Sequence, residues 1–70
     1  MTKDEAIVIT QAQLEEAEKI LNIAEMAHDL AIKAGEPDSV IRKIANEVAI
    51  RETLVSNYDR NLTILLDKGH

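Results

Sequence analysis

Glu25, Met26, Ala27 and His28 place a carboxylate and an imidazole three positions apart. On a helix this spacing sets both groups on one face, one turn apart, as carboxylate-bridged di-iron or di-manganese bundles present two of their ligands. Such a centre needs carboxylates from a neighbouring helix, and Glu47 falls level with Glu25 if the chain folds back about its middle. In a two-fold dimer, Glu25, His28 and Glu47 would supply two Glu-x-x-His pairs and two further glutamates, the ligand count of such a site. A dimeric carboxylate/histidine metal-binding four-helix bundle is therefore one functional expectation.

A reading without metal competes with it and leads. With 13 acids in 70 residues, an acid three places before a histidine arises readily, and Asp67 with His70 repeats the pattern. His28 lies on an otherwise apolar stripe, where a histidine ordinarily serves packing. Glu47 precedes Arg51 by four residues, the favourable order for a helical ion pair. No cofactor is the first expectation.

Catalysis finds no support elsewhere. The chain has no cysteine, few hydroxyls near either histidine and no glycine-rich loop, so neither a nucleophilic relay nor a phosphate cradle can be assembled. The expectation is a protein that is not an enzyme. Arg51 interrupts an apolar stripe, either as a half-buried charge that fixes register or with its stem along the stripe and its head in water. Tyr58, the single aromatic residue, reads as a seam residue with its hydroxyl at the edge.

These side chains need helices to carry them, and the chain divides at Ala34-Gly35-Glu36-Pro37-Asp38. A glycine just past one periodic run and a proline at the start of the next predict a sharp reversal between two helices. Upstream, Ile7, Thr10, Leu14, Ala17, Leu21, Ala24, His28 and Ala31 recur at alternating spacings of three and four, a heptad seam. Downstream, Ile41, Ile44, Val48, Arg51, Val55, Tyr58, Leu62 and Leu65 do the same. The spacing predicts helix 1 over about 3–34, a turn at 35–37 and helix 2 over about 38–68, in one domain covering residues 1–70. Folding about the turn sets side by side those residues whose numbers sum to about 72.

Two points stay open at the ends. Thr2 with Glu5 forms a capping box that starts helix 1 at once, whereas Thr10 with Gln13 forms another that would start it later. In the second case the β-branched run Ile7-Val8-Ile9 and the stretch Leu62 to Leu66 become strands, giving a minor strand-helix-helix-strand alternative. At the far end, Gly69 suits a helix C-terminus after Asp67 and Lys68.

A second stripe, Ile20, Ile23, Ala27, Leu30 and Ala34, runs beside the first seam, with Ile9 upstream in the same track. One partner helix needs only the first stripe, so the second widens the apolar face to what a multi-helix bundle buries. The chain is also too short to expect a lone hairpin to be stable. Ordering costs roughly 1.5 kcal/mol per residue, and two helices bury one stripe each. The predicted architecture is therefore an all-α antiparallel two-helix hairpin that assembles into a four-helix bundle or larger helical oligomer. Its plan resembles that of the small plasmid RNA-regulating hairpin dimers and of the small two-helix chaperones of bacterial secretion systems, a likeness of architecture.

The net charge is −5, and residues 1–35 hold seven acids against three bases. A nucleic-acid binder needs a basic face, and only Arg42 and Lys43 adjoin, so nucleic acid is not expected as a partner. No apolar run approaches the roughly 20 residues of a membrane span and the N-terminus has no signal-peptide pattern, so no membrane association and a cytoplasmic location are expected. The function predicted is a non-enzymatic protein–protein interaction module: a small adaptor, chaperone subunit or regulator. Its partner is itself, another protein or both. The interface expected is Ile20, Ile23, Ala27 and Leu30 with Ile50 and Leu54 of helix 2.

Overall fold

The structure, a computed structural model, describes residues 1–67. Helix α1 spans Lys3–Lys33 and helix α2 spans Asp38–Leu66. They pack against each other as a hairpin measuring 50 × 18 × 16 Å.

Helix α1 begins at the first of the two capping boxes. The Thr2 side chain accepts from the Glu5 backbone N–H at 3.2 Å, and Glu5 Oε1 accepts from the Thr2 backbone N–H at 3.3 Å. Asp4 and Glu5 add negative charge where the helix dipole favours it. The start at Thr2 removes the strand alternative: Ile7-Val8-Ile9 and Leu62 to Leu66 are helical, and there is no strand among the described residues. The physical reason lies at Thr10, which is a buried seam residue within α1 and not a cap. Starting the helix there would have taken Ile7 and Thr10 out of the seam.

The reversal follows the expected chemistry on its first side. Gly35 has φ +71°, the left-handed conformation that suits glycine. The Gly35 N–H donates to Ile32 O and the Glu36 N–H to Ala31 O, both at 3.1 Å. This is the Schellman arrangement, and it satisfies two carbonyls that the helix end would otherwise orphan. On the second side, Pro37 is the N-cap itself, not the first helical residue, and no side chain caps α2. With ψ of 151° its backbone is still extended, while its carbonyl already accepts from the amides of Val40 and Ile41. Neither Glu36 nor Asp38 takes the capping role; Asp38 contributes only its charge to the first turn. At the far end α2 stops at Leu66, with Asp67 as C-cap. The proposed cap at Gly69 lies outside the described residues.

Between these ends the two seams meet as their spacing requires. On α1 every seam residue from Ile7 to Ala31 is buried or half-buried, and on α2 the same holds from Ile41 to Leu65. The contact is nonetheless thin. Ala17 and Ala31 are the buried apolar residues, and among the described residues no side chain is fully hidden. The hairpin exposes 5356 Å², where a compact protein of 7.8 kDa would expose about 4,400 Å². Its radius of gyration is 15.9 Å, against about 11 Å for a globular chain of this length.

Candidate functional site: an apolar flank and its groove

In heptad terms, Ile7 on α1 and Ile41 on α2 open the seams at position a, and Thr10 and Ile44 follow at d. Positions c and g then form one flank of each helix, and b and e the other. In an antiparallel pair the g positions of the two helices share a side. The structure shows this directly, because one groove of about 230 Å³ is lined by Gln13, Glu16, Ala17 and Ile20 from α1 and by Arg51, Leu54 and Tyr58 from α2. The lining runs from Gln13 to Ile20 on α1 and from Tyr58 back to Arg51 on α2, in keeping with the register set by the turn. The groove opens beside Ala17 because a methyl group cannot fill the space between the flanking Ile20 and Leu54.

The c/g flank is apolar through its centre. Ile23 is 66% exposed, Leu30 62% and Ile50 55%, while Leu54 lies at the edge of exposure and Ile20 is half-buried. Ala27 is exposed between them, and Ile9 and Ile64 continue the track towards the open end. All six residues expected at the interface therefore sit on one side of the hairpin. The opposite flank carries most of the acids: Glu15, Glu18, Glu25, Asp29, Glu52 and Asp59 are all exposed along it, with Arg42 as a basic member and with Val8, Ile32 and Leu66 exposed towards its ends. Through the middle of the hairpin, acidic character is thus concentrated on one side and apolar character on the other.

Arg51 sits where these features meet. Its Nη2 donates to Glu47 Oε1 at 2.7 Å, and its side chain is 35% exposed. The stem lies along the seam and the head turns back to its own helix, but Nε is buried with no hydrogen-bond partner. Other acid-to-base pairs of the same spacing, Glu15 with Lys19 and Asp29 with Lys33, do not close, in keeping with the small gain from fixing two exposed side chains.

The metal-ligand set is distributed differently from the apolar set. Glu25 is exposed on the acidic flank, His28 is half-buried in the seam and Glu47 is on the apolar flank, engaged by Arg51. Glu25 and Glu47 are level along the axis and lie on opposite sides of it. Among the described residues no three histidine, aspartate or glutamate side chains converge closely enough to hold a metal ion.

Two features were not read from the sequence. The groove depends on how far apart the helix axes sit, which residue spacing does not give. Glu16 and Lys43 both occupy c positions of the apolar flank, and heptad lettering alone would have found them. Among the described residues, no helix is long and apolar enough to cross a membrane. No protein-family model, no curated protein and no solved structure matches the chain.

Proposed function

We propose that the hairpin is a non-enzymatic protein–protein interaction module that works by self-association through its apolar flank. One observation carries this reading: Ile23, Leu30, Ile50 and Leu54 are left outside the seam on the same side of the molecule. A two-helix contact that fully hides no side chain among the described residues gains little hydrophobic stabilisation, and a second layer on that flank would supply what is missing. The excess exposed surface, on the order of 1,000 Å² over a compact chain, is comparable to what one partner buries in a stable interface.

The test is a substitution at the centre of the flank. Ile23→Asp would bury a charge with no partner, so it should reduce the solution mass in sedimentation equilibrium to that of one chain. Met26→Asp is the control, because Met26 is 63% exposed on the outer face of α1 and away from the flank. An unchanged mass for Ile23→Asp removes the proposal. Pairing through the apolar flank would place Glu47 at the interface and leave Glu25 outside it, so this mode of assembly does not complete a carboxylate–histidine metal centre.

A further inference from the structure

From the open end to the turn, the apolar flank changes character at the same levels on both helices. Its outer track on α1 is Ile9, Glu16, Ile23 and Leu30, one residue in seven and all exposed. On α2 the matching track, taken back from the open end, is Ile64, Asn57, Ile50 and Lys43, also all exposed. Each α1 member stands within about one position of its α2 counterpart in the register set by the turn. Three of the four levels agree in kind: isoleucine with isoleucine, glutamate with asparagine, isoleucine with isoleucine. The inner track adds Gln13 level with Asn61, and Ile20 level with Leu54.

We infer that the second copy covers this flank with its turn at the same end as the first, so that α1 of each hairpin lies on α2 of the other. This rests on the self-association proposed above and specifies its geometry. Two arrangements bring apolar flank to apolar flank about a two-fold axis. An axis running along the hairpin lays α1 on the partner's α2 and changes no level, so the register inside one hairpin becomes the register between two. Ile23 then meets the partner's Ile50, Ile20 the partner's Leu54 and Ile9 the partner's Ile64, while Glu16 meets the amide of the partner's Asn57. The level that differs in kind is tolerable, because the Lys43 stem can lie along the partner's Leu30 with its ammonium at the edge. Glu47, already held by Arg51, faces the partner's Ala27, which is small. An axis running across the hairpin instead lays α1 on α1 and α2 on α2, with the turns at opposite ends. Placed at the level of Ile23, it sets Glu16 against the partner's Leu30 and Glu47 against the partner's Leu54, and it carries Ile9 and Ile64 to the partner's turn. Moving that axis half a heptad brings Glu16 against the partner's Ile23 in one direction, and Lys43 against the partner's Ile50 in the other. Burying polar groups against apolar ones without hydrogen bonds costs stability, so the lengthwise axis is selected.

Orientation can be measured without disturbing the flank. The chain has no cysteine, so Glu36→Cys at the exposed turn offers a single site for a spin label. With the turns at one end the labels should lie within about 20 Å of each other, since packed helix layers are about 10 Å apart. In the crosswise dimer the turns are about 26 helical positions apart, which separates the labels by about 40 Å. Asn57→Lys supplies a second readout whose sign depends on the arrangement. On the lengthwise axis it brings a cation to the partner's Glu16 twice per dimer and should tighten association roughly fivefold at low salt. On the crosswise axis Asn57 meets the partner's Lys43, so the same substitution sets like charges together and weakens association. A short label separation with tighter association of the variant supports the inference. A dimer with a long separation, or one that the variant weakens, overturns it while leaving self-association in place; a chain that remains a single copy at all concentrations removes both.

Discussion

Arg51 shows what a single residue contributes to specifying this fold and what it costs. The side chain occupies a d position of the α2 seam, where seven of eight positions are apolar or aromatic. Its ion pair with Glu47 leaves Nε buried without a hydrogen bond, and desolvating such a group is unfavourable. Arg51→Leu should therefore stabilise the hairpin by about 1 kcal/mol, seen as a rise in the thermal midpoint followed by circular dichroism. A lower midpoint would show that the guanidinium is worth more to the seam than an apolar side chain. The sequence marked Arg51 as an interruption and named Glu47 among its reachable partners. It could not choose between a buried head and a solvated one, because that depends on the separation of the axes at Ala17 and Leu54.

At the scale of elements, the helices and the seam were legible in the residues, and the caps were legible only in part. The alternating three-and-four spacing identified every seam position that the structure covers, because a heptad repeat on two arms of similar length admits one solution once the turn is placed. Thr2 with Glu5 announced the start of α1 by a reciprocal hydrogen-bond pattern that needs no tertiary context. The start of α2 was harder to read, since Glu36, Pro37 and Asp38 are all compatible with a cap, and proline took the position with no side-chain bond. Among the described residues, Gly35 is the one backbone position with a conformation that side chains resist. An added Cβ would meet nothing within 4 Å, so Gly35→Ala isolates the backbone cost from any clash. It should destabilise by about 1–2 kcal/mol, lowering the thermal midpoint by roughly 5–10 °C. An unaltered midpoint would mean that the turn relaxes to another conformation.

For the whole molecule, the sorting of residues into an apolar and an acidic side is the feature that bears on function. All six residues of the candidate site were named from the sequence: Ile20, Ile23, Ala27 and Leu30 lie on one helical track, and Ile50 with Leu54 on another. That the two tracks meet on one side required the hairpin's actual flank pairing, which the groove supplies. If assembly through this side provides much of the stability, unfolding must depend on mass action. The thermal midpoint should then rise by several degrees for each tenfold increase in protein concentration. A midpoint independent of concentration would assign the stability to the single chain.

The absence of any fully hidden side chain among the described residues also bears on supply and turnover. A lone hairpin opens at little free-energy cost, and a protease acts on the open form. If the hairpin assembles as proposed, copies made in excess of their partners should be the ones a cell removes first, while assembled copies persist. In that assembly no dedicated control would be needed to match the abundance of the chain to that of whatever covers its apolar side, because the bare side chains would make survival conditional on being covered.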